Sequence, residues 1–234
     1  MIKKAMILAA GFGTRLRPLT LENPKPLLKF GNQTLLSNTI KFLEIFGIKE
    51  VVINVHYLKE KLNKYITNNN FNLKIKIVEE KNKILDTGGG VFNAIKYFSN
   101  EPFLIINPDT IWNKNYLNAT KKIEKFFFKE KNKCSLLVVN KKKSFDKSFK
   151  GDFNLENNLI IRKDRNNLNY IYTGLQIIKP KAFSGFDAKV FSINKIWDKL
   201  IKSNELYGIE SNIDFFHVSN LDIYKNLLEI KFKR

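Results

Sequence analysis

Ala5–Leu28 reads AMILAAGFGTRLRPLTLENPKPLL. Its first six residues, Ala5–Ala10, form an unbroken apolar run, the pattern of a strand buried on both faces. The run flows directly into Gly11-Phe12-Gly13-Thr14-Arg15-Leu16. A dinucleotide fingerprint would need a third glycine where Leu16 stands, and a P-loop would need Gly-Lys-Ser/Thr; neither is met. What remains is a glycine-rich turn whose backbone N–H groups can face an anion. Gly11 and Gly13 let a ligand approach the chain closely. Arg15 adds a forked cation suited to phosphate oxygens. Further on, Pro24 and Pro26 fix the backbone on both sides of Lys25 and restrict where its ammonium points. A surface turn with solvated charges is the plain alternative. Two glycines, an arginine and a proline-fenced lysine after a buried strand favour an anion site.

Working outward, apolar runs alternate with amphipathic segments. Strands are expected at Glu50–Val55, Leu73–Val78, Pro102–Asn107 and Ser135–Val139. Between them, helices are expected at Thr34–Phe46 (closed by Gly47), Lys59–Thr67, Gly90–Phe98 and Asn115–Phe128. Strands alternating with helices of this length predict βαβ units. After about Lys141 the pattern shortens: strands at Gly151–Leu155, Leu159–Arg162 and Tyr170–Ile178, a helix at Ile193–Lys202, strands near Leu206–Ile209 and Phe215–Val218, and a last helix at Leu221–Phe232. The expected fold is α/β: a Rossmann-like, doubly wound, mostly parallel mixed sheet with a small α+β C-terminal subregion. One domain spanning residues 1–234 is expected, with a core over 1–140 and the subregion over 141–234.

A chain of 234 residues, 44% hydrophobic, can bury a sizeable core. No apolar run approaches the roughly 20 residues a membrane helix needs. The basic start and short apolar run of MIKKAMILAAG resemble a signal peptide at first glance, but the run is too short and is read as the first strand. Cys134 is the only cysteine, so no internal disulfide forms and a reducing, cytoplasmic setting is expected. The net charge is +19, from 41 Lys and Arg against 22 Asp and Glu. That balance attracts polyanions or anionic small substrates. The lysines are scattered and no common nucleic-acid motif appears, so a nucleic-acid partner is not expected.

Other stretches carry chemistry less clearly on their own. Asn107-Pro108-Asp109 ends a predicted strand, where ligands bind in open α/β sheets, although Asn-Pro-Asp is also a good turn sequence. Gly88-Gly89-Gly90 opens a helix with more glycines than a tight turn requires, which suggests backbone approaching a flat base or a sugar. Asp152, alone in a loop, reads as a solvated carboxylate. His56 follows a strand and reads as a packed or hydrogen-bonded imidazole.

LAAGFGTRL followed by NPKPLL resembles the signature of the sugar-1-phosphate nucleotidyltransferases, LAAGxGTRL…PKPL. Similar stretches continue as INVHYL, LDTGGGVFNA, FLIINPDTIW, GDF and YIYTGLQIIKPKAF, so the resemblance runs from Lys4 to about Leu228. Their order looks most like the N-acetylmuramate α-1-phosphate uridylyltransferases of cell-wall recycling, then the mannose-1-phosphate guanylyltransferases. The resemblance implies that a sugar 1-phosphate attacks the α-phosphate of a nucleoside triphosphate and pyrophosphate leaves, with UTP the first candidate and GTP the second. It implies that Ala10, Gly11, Phe12, Gly13 and Thr14 cradle the nucleotide, with Gly88 and Gly89 at the base and sugar. Arg15 would hold the triphosphate and Lys25 the α-phosphate, as the catalytic pair. Asn107, from the nucleotide-binding core, and Asp152, from the sugar-binding subregion over 141–234, would contact the sugar substrate. Asp109 would be the first ligand of a Mg²⁺ ion.

The chain departs from the family near its end. Where relatives carry Trp-x-Asp-Val-Gly-Thr, with a second metal-binding aspartate, it reads Phe215-Phe216-His217-Val218-Ser219-Asn220. Imidazole suits Mn²⁺ and softer metals better than Mg²⁺. Three outcomes are open: His217 ligates a softer divalent metal, Asp109 holds Mg²⁺ alone, or the site is impaired and the protein is a non-catalytic nucleotide binder. Partners are then a nucleoside triphosphate and a sugar 1-phosphate, with no membrane, in a monomer or homodimer.

Overall fold

A computed structural model describes residues 1–163, 167–187 and 189–230. In chain order the elements are β1 (Lys4–Leu8), α1 (Leu19–Glu22), β2 (Lys29–Phe30), β3 (Gln33–Thr34), α2 (Leu35–Phe46), β4 (Glu50–Val55), α3 (Lys59–Thr67), β5 (Lys74–Glu79) and α4 (Asp86–Ala94). They continue with β6 (Phe103–Ile106), α5 (Asn115–Lys129), β7 (Cys134–Asn140), β8 (Asn154–Glu156), β9 (Leu159–Ile161), β10 (Tyr170–Ile178), α6 (Asn194–Lys202), β11 (Leu206–Ser211) and α7 (Leu221–Glu229). Helix α2 shows why such boundaries are readable in sequence. Thr34 Oγ1 accepts the Ser37 N–H at 3.0 Å to start it, and Gly47, at φ 101°, closes it.

Among the described residues, nine strands form one sheet in the order β5-β4-β1-β6-β10-β7-β11-β9-β8. Strands β4, β5 and β6 run parallel to β1, and β11 runs parallel to β7. Strand β10 is antiparallel to both β6 and β7, and β9 to both β11 and β8, so these two alone reverse the common direction. The sheet is thus mixed and mostly parallel, as expected. Strand β10 lies between β6 and β7, so the region after residue 140 is woven into the sheet and not appended to it.

Alternation along each strand divides the core between two faces. Ala5, Ile7, Val51, Ile53, Leu104 and Ile106 pack under α2, α3 and α5, with Leu43, Leu62 and Phe127 among their neighbours. Met6, Val52, Phe103 and Ile105 face the other way, against Val91 of α4 and Trp197 and Leu200 of α6. Burial on both faces explains the continuous apolar runs of the inner strands.

Strand β8 begins at Asn154 and not at the expected Gly151, and two further elements differ from the sequence expectation. Helix α4 begins at Asp86, four residues before the expected Gly90, because the Gly88 and Gly89 N–H groups both donate to the Phe191 carbonyl at 2.9 Å. A distant segment thereby satisfies donors that would otherwise be orphaned at a helix start. Ile95–Phe98, expected as helix, is a 3₁₀ turn. The expected strand Phe215–Val218 makes only isolated bridges, Thr110 to His217 and Ser144 to Phe215. It threads between two loops, with the Phe215 N–H donating to Lys143 and the Val218 N–H to Asp109. Residues 231–232 of the expected last helix lie outside the described residues.

The chain leaves β1, builds β4 and β5 on one side, and returns to place β6 on the other side of β1. The order therefore reverses between β1 and β6, which is where open α/β sheets bind ligands, beyond the carboxyl ends of the strands.

Candidate active site

Both segments that leave this switch point are the ones singled out in the sequence. A cavity of about 350 Å³ is lined by Ala9, Ala10, Gly11, Gly13, Thr14, Arg15 and Lys25 from the β1 side, and by Asn107, Pro108 and Asp109 from the β6 side. Leu8, Asn54, Glu80, Ile84, Asp86 and Thr87 also line it. The lining therefore combines glycines and cations with apolar and acidic groups.

The glycine turn is held from behind. Gly13 adopts φ +64°, and a Cβ there would lie 3.0 Å from Thr20 Cγ2 and 3.2 Å from Lys25 Cβ. Thr20 Oγ1 donates to the Gly13 carbonyl at 2.9 Å. A larger residue would push the turn off the Lys25 segment, and the left-handed backbone disfavours one in any case. At Gly11 a Cβ would meet nothing within 4 Å, leaving its backbone open toward the cavity. Arg15 sits in a 3₁₀ turn, Thr14–Leu16, exposed and without an ion pair among the described residues. Lys25 begins a second 3₁₀ turn, in which the Leu27 N–H donates to the Pro24 carbonyl at 2.8 Å.

Lys25 crosses the cavity to Asp109: Nζ lies 2.5 Å from Oδ2. His217 Nε2 lies 3.1 Å from the same oxygen. Burial alone would raise the Asp109 pKa, but the Lys25 ammonium and then His217 outweigh it and hold the carboxyl well below the usual carboxylate range. Asp109 Oδ1, buried, has no hydrogen-bond partner. Behind His217, Ser219 on the cavity wall donates to Asp146 Oδ2 at 2.5 Å.

Several residues named from the sequence stand elsewhere. Gly88 and Gly89 do not line the cavity, and their N–H groups are committed to Phe191. Packing explains their identity: a Cβ on Gly88 would come within 2.4 Å of the Phe191 ring, and one on Gly89 within 2.4 Å of the Lys189 carbonyl oxygen. Phe12 turns outward, 40% exposed, against the His56 and Tyr57 rings. Asp152 lies off the cavity and accepts the Tyr172 N–H at 2.9 Å; burial raises its pKa. His217 lies off the cavity wall, with its Nε2 facing Asp109. Among the described residues, no group of three or more His, Cys, Asp and Glu side chains is arranged to hold a metal. His56 is hydrogen-bonded as expected, with Nδ1 2.6 Å from the Glu80 carbonyl oxygen.

Sequence reasoning missed one constellation. Asn54 Oδ1 accepts the Ala9 N–H at 2.9 Å, Asn54 Nδ2 donates to Glu80 Oε1 at 2.7 Å, and Glu80 Oε2 accepts the Leu85 N–H at 2.7 Å. Glu80 and Asn54 are 2% and 3% exposed. The chain links the ends of β1, β4 and β5 just where they meet the cavity. Its one available signal was position: both residues fall at the carboxyl ends of strands.

A family described as nucleotidyl transferase matches residues 4–149. N-acetylmuramate alpha-1-phosphate uridylyltransferase of Caulobacter vibrioides is 27% identical over 223 residues, covering 93% of this chain and 92% of the relative. The mannose-1-phosphate guanylyltransferase catalytic subunit beta of Danio rerio is 29% identical over 215 residues, covering 88% of this chain; the chain spans 58% of that relative's length. Among solved structures, HddC from Yersinia pseudotuberculosis complexed with GMP-PN superposes with a TM-score of 0.76 at 25% identity, covering 99% of this chain and 100% of that one. The inositol-1-phosphate CTP transferase of T. maritima has a TM-score of 0.79 at 20% identity, covering 97% and 95%, a likeness of fold.

Proposed function

The chain belongs to the nucleotidyl transferase family, and from that premise we propose that it joins a nucleoside triphosphate to a sugar 1-phosphate, releasing pyrophosphate. The observation that carries this reading is the meeting of Gly11, Gly13, Arg15 and Lys25 with Asp109 around one cavity at the sheet's switch point. UTP is the preferred nucleotide and N-acetylmuramate 1-phosphate the preferred acceptor, by likeness to the Caulobacter relative. The guanylyltransferase likeness supports GTP with mannose 1-phosphate as the second reading. With the first, the protein acts in the cytoplasm, in peptidoglycan recycling.

Transfer of this kind depends on positioning and charge neutralisation more than on a nucleophilic side chain. The open backbone at Gly11 receives phosphate oxygens, and Arg15, free of ion pairs among the described residues, is available to neutralise the departing pyrophosphate. Lys25 rests on Asp109, a short swing from phosphate bound against the glycine turn. The sugar phosphate oxygen attacks the α-phosphorus as the bond to the β-phosphate oxygen breaks, so no proton need leave a protein group. A divalent cation, Mg²⁺ or Mn²⁺, would supply charge neutralisation at the phosphates when bound. Asp109, ionised and with Oδ1 buried but unpartnered, fits a hard cation.

The test is a pyrophosphate-release grid crossing four nucleoside triphosphates with a panel of sugar 1-phosphates, in Mg²⁺ and in Mn²⁺. Release with UTP and N-acetylmuramate 1-phosphate is expected to exceed every other pair. Nucleotide binding without release in any cell would leave a non-catalytic binder, the reading that His217 motivates.

A further inference from the structure

We propose that a divalent cation in this cavity is held by Asp109 Oδ1 together with Asn107 Oδ1, and that His217 is a positioning residue and not a ligand; this rests on the nucleotidyl-transfer reading above. The two oxygens have the same unusual status. Both are buried, both belong to residues on the cavity wall, and neither has a hydrogen-bond partner. A buried acceptor without a donor loses its hydration and gains nothing in return, so such atoms call for a partner. Two hard oxygens, one of them charged, suit Mg²⁺ or Mn²⁺, which ordinarily take one or two protein ligands and complete their shell with phosphates and water.

The two residues are rigidly placed. The Asn107 N–H donates to the Gly174 carbonyl at 2.8 Å, and the Asn107 carbonyl accepts the Trp112 indole N–H at 2.9 Å. Gly174, at φ +91°, packs so closely that a Cβ there would lie 2.9 Å from Asn107 Cβ. It sits in the irregularity of the β10–β7 pairing between Tyr172 and Leu175, and its missing side chain is what admits Asn107. The Asp109 carbonyl accepts the Val218 N–H at 2.8 Å.

The imidazole of His217 is oriented for a different task. Its ring stacks on Phe215 at 5.6 Å with a 14° interplanar angle and leans on Phe149 at 5.7 Å. Held so, Nε2 stays 3.1 Å from Asp109 Oδ2, beside the Lys25 ammonium on the same oxygen. Both donors engage Oδ2, and Oδ1 is left for the cation. A ligand role would require the imidazole to leave Asp109 or to use Nδ1, which is likewise buried and unpartnered but points away from the ring edge that faces Asp109. An aspartate at this position could share a metal; the histidine instead fixes the carboxylate that binds it.

The experiment follows Mn²⁺ bound to the whole protein in the presence of UTP and no sugar phosphate, by electron paramagnetic resonance. UTP binding in chelator is measured separately by calorimetry. Bound Mn²⁺ is expected to show no coupling to a directly coordinated imidazole nitrogen. Asn107→Ala and the near-isosteric Asn107→Leu are expected to weaken Mn²⁺ at least about tenfold, the equivalent of 1.4 kcal/mol, with thermal stability retained in at least one of them. His217→Gln, whose amide can still donate to Asp109, is expected to keep Mn²⁺ affinity within about twofold. A nitrogen coupling in the wild type, or full Mn²⁺ affinity in a folded Asn107 variant, would overturn the assignment and leave the transfer reading intact. Failure to bind UTP or GTP at all would remove both.

Discussion

At the residue scale, the site turns on one carboxylate. Asp109 is partly enclosed and remains ionised because Lys25 and His217 share its Oδ2. Lys25→Ala removes the larger favourable charge while the carboxylate stays buried, so it is expected to cost about 1–3 kcal/mol of stability. Turnover should also fall about 10²–10³-fold, as when a preorganised transition-state donor is lost. Adding Asp109→Asn to that variant removes the unpaired charge. Thermal denaturation should then return toward the wild-type midpoint while pyrophosphate release stays lost; a double variant no more stable than Lys25→Ala alone would refute the coupling. Glu80 makes a complementary case. Both of its oxygens accept, from Asn54 and from the Leu85 N–H, and an amide cannot accept at both ends. Glu80→Gln should therefore lower the melting midpoint and raise the nucleotide KM more than it lowers kcat, a split that steady-state kinetics reads directly. These two residues also mark what the sequence discloses. Lys25, Arg15 and Asp109 stand in short local motifs whose chemistry is readable. Glu80 stands in VEEKNK, a string that looks like solvated surface. Its pairing with Asn54, 26 residues away, helps take it out of water.

At the scale of elements, the same division recurs. Helix α2 and strands β4 and β10 were readable because their periodicity, cap and apolar runs are local properties. Where α4 begins was not, because its first N–H groups are answered by Phe191, about a hundred residues downstream. Nor was the state of Phe215–Val218, whose hydrogen bonds go to loops at Asp109 and Lys143. The glycines of α4 follow from the same contact. They let the helix sit against Lys189 and Phe191, and Gly90 lets it sit against Glu80, whose Oε1 would lie 2.6 Å from a Cβ there. Gly89→Ala should accordingly behave as an overpacked core position, losing about 1–3 kcal/mol. Chemical denaturation measures that loss. Nucleotide affinity, measured well below the midpoint, should change less than threefold, whereas a full loss of binding with unchanged stability would return Gly89 to the binding surface.

At the scale of the whole molecule, the sheet order places the site and the net charge delivers substrates to it. The reversal between β1 and β6 brings two loops together that lie more than eighty residues apart, one with the cations and one with Asp109. Alternating strands and helices announce a doubly wound sheet; they do not announce that β10 will run antiparallel between β6 and β7, a pairing decided by the packing of both faces. A net charge of +19 acts over a longer range than any of these contacts. Both proposed substrates are multiply anionic, so the field should raise their rate of encounter, and salt should weaken it as the screening length falls to about 10 Å at 0.1 M. Raising ionic strength from about 50 to about 300 mM should therefore lower kcat/KM several-fold while kcat changes less, since charges in contact with bound substrate are screened far less than charges acting at a distance. A random DNA duplex gives the contrast. If the charge were a nucleic-acid footprint, duplex would bind with a steep salt dependence and inhibit transfer competitively. With the lysines scattered along the chain, low-micromolar duplex at moderate salt should leave the initial rate unchanged, and strong inhibition there would reassign the basic surface to a nucleic-acid partner.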